Sequence, residues 1–338
     1  MNILHLVDKY PDKPWNWSWI SKNPNITMDY ILKNADKPWD WSMVSRNPNI
    51  TMTDILAYAA DKPWDWANIS RNKNITMTDI LNNPDKPWNW FWISENSNIT
   101  MADIIKNADK PWSWVGISNN PNITINDILE NADKTWDWFW ISYCTNITMA
   151  DILKNADKPW NWSCISFNNI TMTDILKNAD KPWDWAGISK NPNITMADIL
   201  KNADKPWDWS CVSENPNITM TDILAYADKP WNWFYISEHK NITMADILKN
   251  ADKPWNWSCV SINPNITIND ILENADKPWD WDGISRNLGI TIDFIENNID
   301  KISFKNLSYN TFIDKEPFLK ILINVIHYDV VSIILGYF

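Results

Sequence analysis

The chain has 338 residues, 27 of them tryptophan and only 5 glycine, with 42 acidic and 30 basic side chains for a formal charge of −12. So much apolar surface with so few flexible joints argues against low-complexity disorder, and the acidic balance argues against a basic groove for nucleic acid. So few glycines also leave no glycine-rich phosphate loop in the arrangement that loop requires.

The first eleven residues, "MNILHLVDKYP", carry only a brief apolar stretch, with no basic leader and no small-residue cleavage site, so a secretory signal is not expected. From Asp12 a motif close to "DKPWDW" recurs twelve times, ending at Asp276, with a period of 24 residues. One step is 25 residues, where "AYAADKPW" carries an added alanine, and one is 23, at "SFNNIT". A fixed period of this size points to a repeat array that grows by adding neighbours, not by enlarging one core.

Within a unit, Thr51 is followed three residues on by Asp54, and the pair recurs from Thr76 and Asp79 to Thr267 and Asp270. A hydroxyl accepting a first-turn amide, with an acid three residues later reaching back, is a helix start. It also accounts for "NIT", which matches a sugar-acceptor pattern eleven times between Asn25 and Asn265. The helix then runs through "MTDILKNA". Asp36, Asp109 and Asp204 are expected to cap the next helix, with proline inside its first turn, where an amide would lack a partner anyway.

In that second helix Trp41 and Val44, like Trp185 and Ile188, share a face, whereas Trp39 and Trp41 must diverge. One ring is expected to face the unit's own partner helix, the other the neighbouring unit or partly outward. "SxNPN" ends the helix in a turn. The brief alternation in "WNWSWIS" would suit a strand, but it lapses within a few residues. The expected fold is therefore all-α: an α-solenoid of about twelve 24-residue repeats, two short helices each, with atypical capping ends. Residues 1–11 are read as an N-terminal cap, 12–299 as the array, and 300–338 as a degenerate repeat followed by an apolar cap. Such an array would extend on the order of 100 Å at roughly 8–10 Å per helix layer.

The terminal units depart from the pattern. Thr27 meets Tyr30 and Thr291 meets Phe294 in place of an acid, and Ile302 and Phe304 stand where the paired tryptophans would be. The final segment, "EPFLKILINVIHYDVVSIILGYF", is apolar enough to cap an end or to self-associate, but Lys320, Asn324, His327 and Asp329 argue against a membrane span.

No catalytic constellation is evident. His5, His239 and His327 are scattered, and His239, in a turn, reads as a solvated side chain with no metal or base role; no cofactor is expected. Cys164, Cys211 and Cys259 share one repeat position about two units apart, too far for bridging, so free buried thiols are expected, in keeping with a reducing compartment. What varies is the pair of positions after the second tryptophan, filled by large residues at Trp19, Phe91, Trp92, Phe139, Trp140, Phe234 and Tyr235. Of these, Trp19, Trp92, Trp140, Phe234 and Tyr235 are the candidate partner-binding residues, for a peptide or a glycan, unless they fill space between units.

The combination of "KPWDW", "SRNPNIT" and "DILKNADKPW" resembles the tandem tryptophan-rich repeat proteins of giant DNA viruses of the mimivirus group, over about residues 10–310. Thr135 replaces the usual proline and Ser113 the usual Asp or Asn. The resemblance implies a viral origin, a place in host cytoplasm or virion, and no enzymatic role. The expected function is a structural or scaffold protein binding viral structural or host proteins, with a host-interaction module using a repeated aromatic surface as the alternative.

Overall fold

The computed structural model describes residues 3–144, 146–168 and 170–310; the expected apolar C-terminal cap lies largely outside them. All secondary structure among the described residues is helical, in 26 short helices that alternate between two types. Helices such as Met52–Ala57 follow a threonine, and helices such as Trp41–Ser45 begin at the second tryptophan of the motif. The α-solenoid architecture with two helices per repeat is as the sequence led one to expect. The described helices make thirteen pairs, because Ile3–Lys9 with Trp17–Lys22 forms a first unit and Ile292–Asn297 with Phe304–Leu307 a last one.

From Thr51 to Thr267 each threonine-capped helix starts with the expected capping box. The Thr195 Oγ1 accepts the Asp198 amide, while the Asp198 carboxylate accepts the Thr195 amide at 3.0 Å. Thr27 and Thr291, without an acid three residues on, keep only the first of these bonds. Tyr30 instead donates its hydroxyl to Asp8 at 2.6 Å, joining the first two units.

The expected caps of the second helix need correction. The cap is the residue between the two tryptophans: Asp40 accepts from Met43, Asn161 from Cys164, and Ser113 keeps the role by accepting from Gly116. Asp109 and Asp204 are exposed and pair with the lysine that follows each, as Asp36 does more loosely with Lys37. Proline accordingly precedes the helix. Its fixed φ suits a tight turn in which the Trp39 amide donates to the Lys37 carbonyl at 2.8 Å, repeated from unit to unit. The added alanine is absorbed ahead of this turn, where the Trp64 indole reaches back six residues to Tyr58 while other units span five.

Three ladders join each unit to the next. The second tryptophan of one unit meets the first of its neighbour edge to face, as Trp41 does Trp64 with centroids 5.1 Å apart. The divergence of the paired rings thus has a definite outcome: both serve the contact between units. A buried serine, such as Ser45, donates to the carbonyl four residues back and accepts the amide of the next unit's cap, Asp65. A buried asparagine, such as Asn47, donates to the Ser21 and Asn23 carbonyls of the preceding unit, while its Oδ1 accepts the Asn49 amide and shapes the turn. The "NIT" asparagines also reach across, Asn217 donating to Pro192 and Ile194 of the unit before. Among the described residues no buried side-chain nitrogen or oxygen lacks a partner.

The same contacts join the last unit to the first. Phe304, standing for a second tryptophan, meets Trp15 with centroids 5.0 Å apart and planes at 86°. The Asn16 amide donates to Ser308 Oγ, Asn23 donates to the Asn310 carbonyl, and Lys9 pairs with Glu296 at 2.6 Å. The array is therefore a closed ring of thirteen units, each turning the chain by about 28°, and its two ends cover one another. Closure replaces the expected extended body of about 100 Å.

Successive tryptophan-led helices pack directly on one another, while successive threonine-capped helices stand farther apart. In a closed ring the closer-spaced layer has the smaller radius, so the tryptophan-led helices form the inner wall. With helix spacings of roughly 8–10 Å and side-chain envelopes about 10 Å across, thirteen units leave an opening roughly 25–30 Å wide.

Candidate interaction surface

The inner helices bury their isoleucine or valine and their serine against the outer layer. That leaves the residue after the second tryptophan, and the one four positions later, on the same solvent-facing side. Phe91 and Glu95, or Phe139 and Tyr143, are such pairs. The residue one step after Phe91, Trp92, packs toward the preceding unit.

The five sequence candidates divide on this basis. Trp92 is half-buried, with the Arg71 guanidinium of the previous unit 3.7 Å above its ring. Trp140 and Tyr235 are also half-buried and lie edge-on to Phe139 and Phe234. Trp19 lies 4.1 Å from Tyr309, across the closure. Trp92 and Trp19 thus reach a neighbouring unit, Trp140 and Tyr235 pack within their own helix, and Phe234 is the most exposed of the five. Elsewhere the same joint is filled from the other side. Gly116 lies where a Cβ would meet the Phe91 carbonyl at 2.6 Å, and Gly187 where it would meet Phe167 at 3.1 Å. At Gly187 it is the Phe167 side chain that takes the space, at Gly116 the backbone of the preceding helix.

The sequence reading missed the position four residues past Phe91 and its equivalents. Its signal was the helical spacing from the first variable position. Together the two positions divide the inner wall into arcs. Phe91, Val115, Phe139, Tyr143 and Phe167, from four consecutive units, make an exposed apolar arc. Glu214 and Glu238 lie farther round. Arg286, Lys305, Lys22, Arg46 and Arg71, from the five units spanning the closure, make a basic arc. Burial, with the nearby Arg46 charge, holds the Arg71 guanidinium below its ordinary value.

His239 is buried, contrary to the expectation of a solvated side chain. It occupies the place of a ladder asparagine: Nε2 faces the Asn215 carbonyl at 2.9 Å and Nδ1 accepts the Asn241 amide at 3.2 Å. That pair of bonds selects the neutral imidazole protonated on Nε2, and burial lowers its pKa. The sequence signal was positional, since His239 falls where other units carry the turn asparagine. Cys144 fills another ladder place, its thiol 3.7 Å from the Ser118 carbonyl. The cysteines are free thiols; Cys164 and Cys259 are buried, whereas Cys211 and Cys144 are only half-buried.

Among the described residues no three His, Cys, Asp or Glu side chains gather so as to hold a metal ion, and no helix is long and apolar enough to cross a membrane. Fold and surface together define a closed α-helical repeat ring whose consensus residues build the joints and whose variable residues are shared between the joints and the opening. Comparison with family models, curated proteins and solved structures gives no match to this chain.

Proposed function

We propose that the protein is a non-enzymatic scaffold whose ring binds protein partners on its inner wall. The observation that carries this reading is the apolar arc. Phe91, Phe139, Tyr143 and Phe167 keep more than a third of their surface exposed and, with Val115, come from four consecutive units; the exposed leucines, such as Leu56, Leu81 and Leu153, lie instead on the threonine-capped helices of the outer layer. Contiguous exposed aromatics are costly in water and mark contact surfaces. In the ordinary run of interfaces such rings supply the central anchors. The resemblance to the viral repeat family supports a viral structural or host protein as partner, in host cytoplasm or virion.

The test is affinity capture from infected-cell lysate with the intact chain and with a variant carrying Phe91→Ser and Phe139→Ser. Partners kept by the intact ring and lost from the variant support the reading. A partner set indifferent to the substitutions, with the fold intact, overturns it.

A further inference from the structure

Five cations face the opening from five consecutive units, and they are neighbours only because the ring closes. Arg286 and Lys305 come from the last two units; Lys22, Arg46 and Arg71 come from the first three. Aromatic rings hold several of them. Arg286 lies 5.2 Å from the Tyr309 centroid, Lys22 5.3 Å from Trp19, and Arg71 3.7 Å from Trp92. The first residue position of the wall is small or polar in Ser18, Ser42 and Ala67, which leaves the floor beside the cations open. Acids also border this arc: Asp282 at its far end, and the cap carboxylates of Asp40, which accepts from Ser18 at 2.5 Å, and Asp65, which is hydrogen-bonded by Ser42, so that the five cations remain in excess.

We propose that this basic arc binds an acidic peptide segment of a partner protein, a deepening that rests on the scaffold reading above. The Arg71 guanidinium, stacked on Trp92, leaves its N–H edge to match a carboxylate in two-point fashion, whereas Arg286 already donates Nε–H and Nη2–H to Asn306 Oδ1 and contributes its charge. A single nucleic acid strand would instead need open aromatic faces for its bases. Here those faces are taken: Trp19 by Tyr309 and Trp92 by Arg71. A long polyanion would also run past the arc toward Glu95 on one side and Glu238 on the other, within a chain of net charge −12. Four steps between units at roughly 8–10 Å span the length of about ten to twelve extended residues. An opening wider than a peptide leaves such a segment on one arc of the wall.

The test is fluorescence anisotropy on the full chain, with a labelled peptide of about twelve alternating Glu and Ser residues, a Gln/Ser peptide, and an oligothymidylate of similar length. The variants are Lys22→Ser with Arg46→Ser, and Lys190→Ser on the opposite wall, with circular dichroism melts to confirm the fold. The acidic peptide is expected to bind in a salt-dependent way and the Gln/Ser peptide not to bind. Loss of two charge-assisted contacts in the double variant should weaken binding about tenfold or more, with little change in Lys190→Ser. Absence of acidic-peptide binding at low salt, equal loss in Lys190→Ser, or tighter binding of the oligothymidylate each overturns the proposal. If it falls while capture still depends on Phe91 and Phe139, the scaffold reading stands without it.

Discussion

Phe304 meets Trp15 edge to face across 289 positions of sequence with the geometry that Trp41 and Trp64 adopt between adjacent units. One joint of the thirteen thus lacks the chain running through it. Phe304→Ala should cost about 3–5 kcal/mol, as truncating a buried phenylalanine does, and should also open the ring. Trp138→Ala, at a joint the chain bridges, should destabilise without opening. Small-angle scattering separates the two: only the Phe304 variant should show a larger radius of gyration.

Asn215 donates to the Ser189, Asn191 and Ile194 carbonyls. Asn215→Ala leaves buried acceptors unpaired and should cost about 1–3 kcal/mol. Asn215→Asp sets a charged acceptor against them and should cost more, whereas Asn215→His should be the mildest, since His239 already fills the equivalent place. Denaturant titration of the three variants gives the order.

His239 makes stability depend on pH. Its folded pKa lies below the unfolded value of about 6.5, so the unfolded chain binds the extra proton more readily. The stabilisation is fully present above about pH 6.5 and is lost as pH falls below it, because a protonated Nδ1 would turn a donor toward the Asn241 amide. His239→Asn should flatten the fall in melting temperature between neutral and mildly acidic pH.

Capping gives a paired test. Asp184 accepts the Ala186 amide at the start of its helix, so Asp184→Ala should cost about 1 kcal/mol. Asp180, four residues earlier, is exposed; its carboxyl is held below the ordinary range by the hydrogen bond from Lys181, and it caps nothing. Asp180→Ala should leave the melting temperature unchanged.

Burial pushes the Cys164 and Cys259 thiols above their ordinary range. Both should react slowly with a thiol reagent in the native protein and readily once it is denatured. Native labelling of either at the rate of a free thiol would contradict their placement.

The sequence alone determined what acts over one or two helical turns. The Thr195 to Asp198 spacing defines a helix start, the face shared by Trp185 and Ile188 follows from 3.6 residues per turn, and the period of 24 announces stacked units. The cap of the second helix was misplaced because Asp180 and Asp184 are both good capping residues, and only the proline-centred turn between them decides which one meets the helix. Phe91, Phe139 and Phe234 stood out in the sequence as variable. Their exposure, and the use of Trp92 at a joint, depended on what the preceding unit offers, here the Arg71 side chain. Tertiary structure alone decided closure. A turn of about 28° per unit is too small to leave a mark in any one repeat, but over thirteen units it returns Phe304 to Trp15 and places Arg286 on the same wall as Arg71.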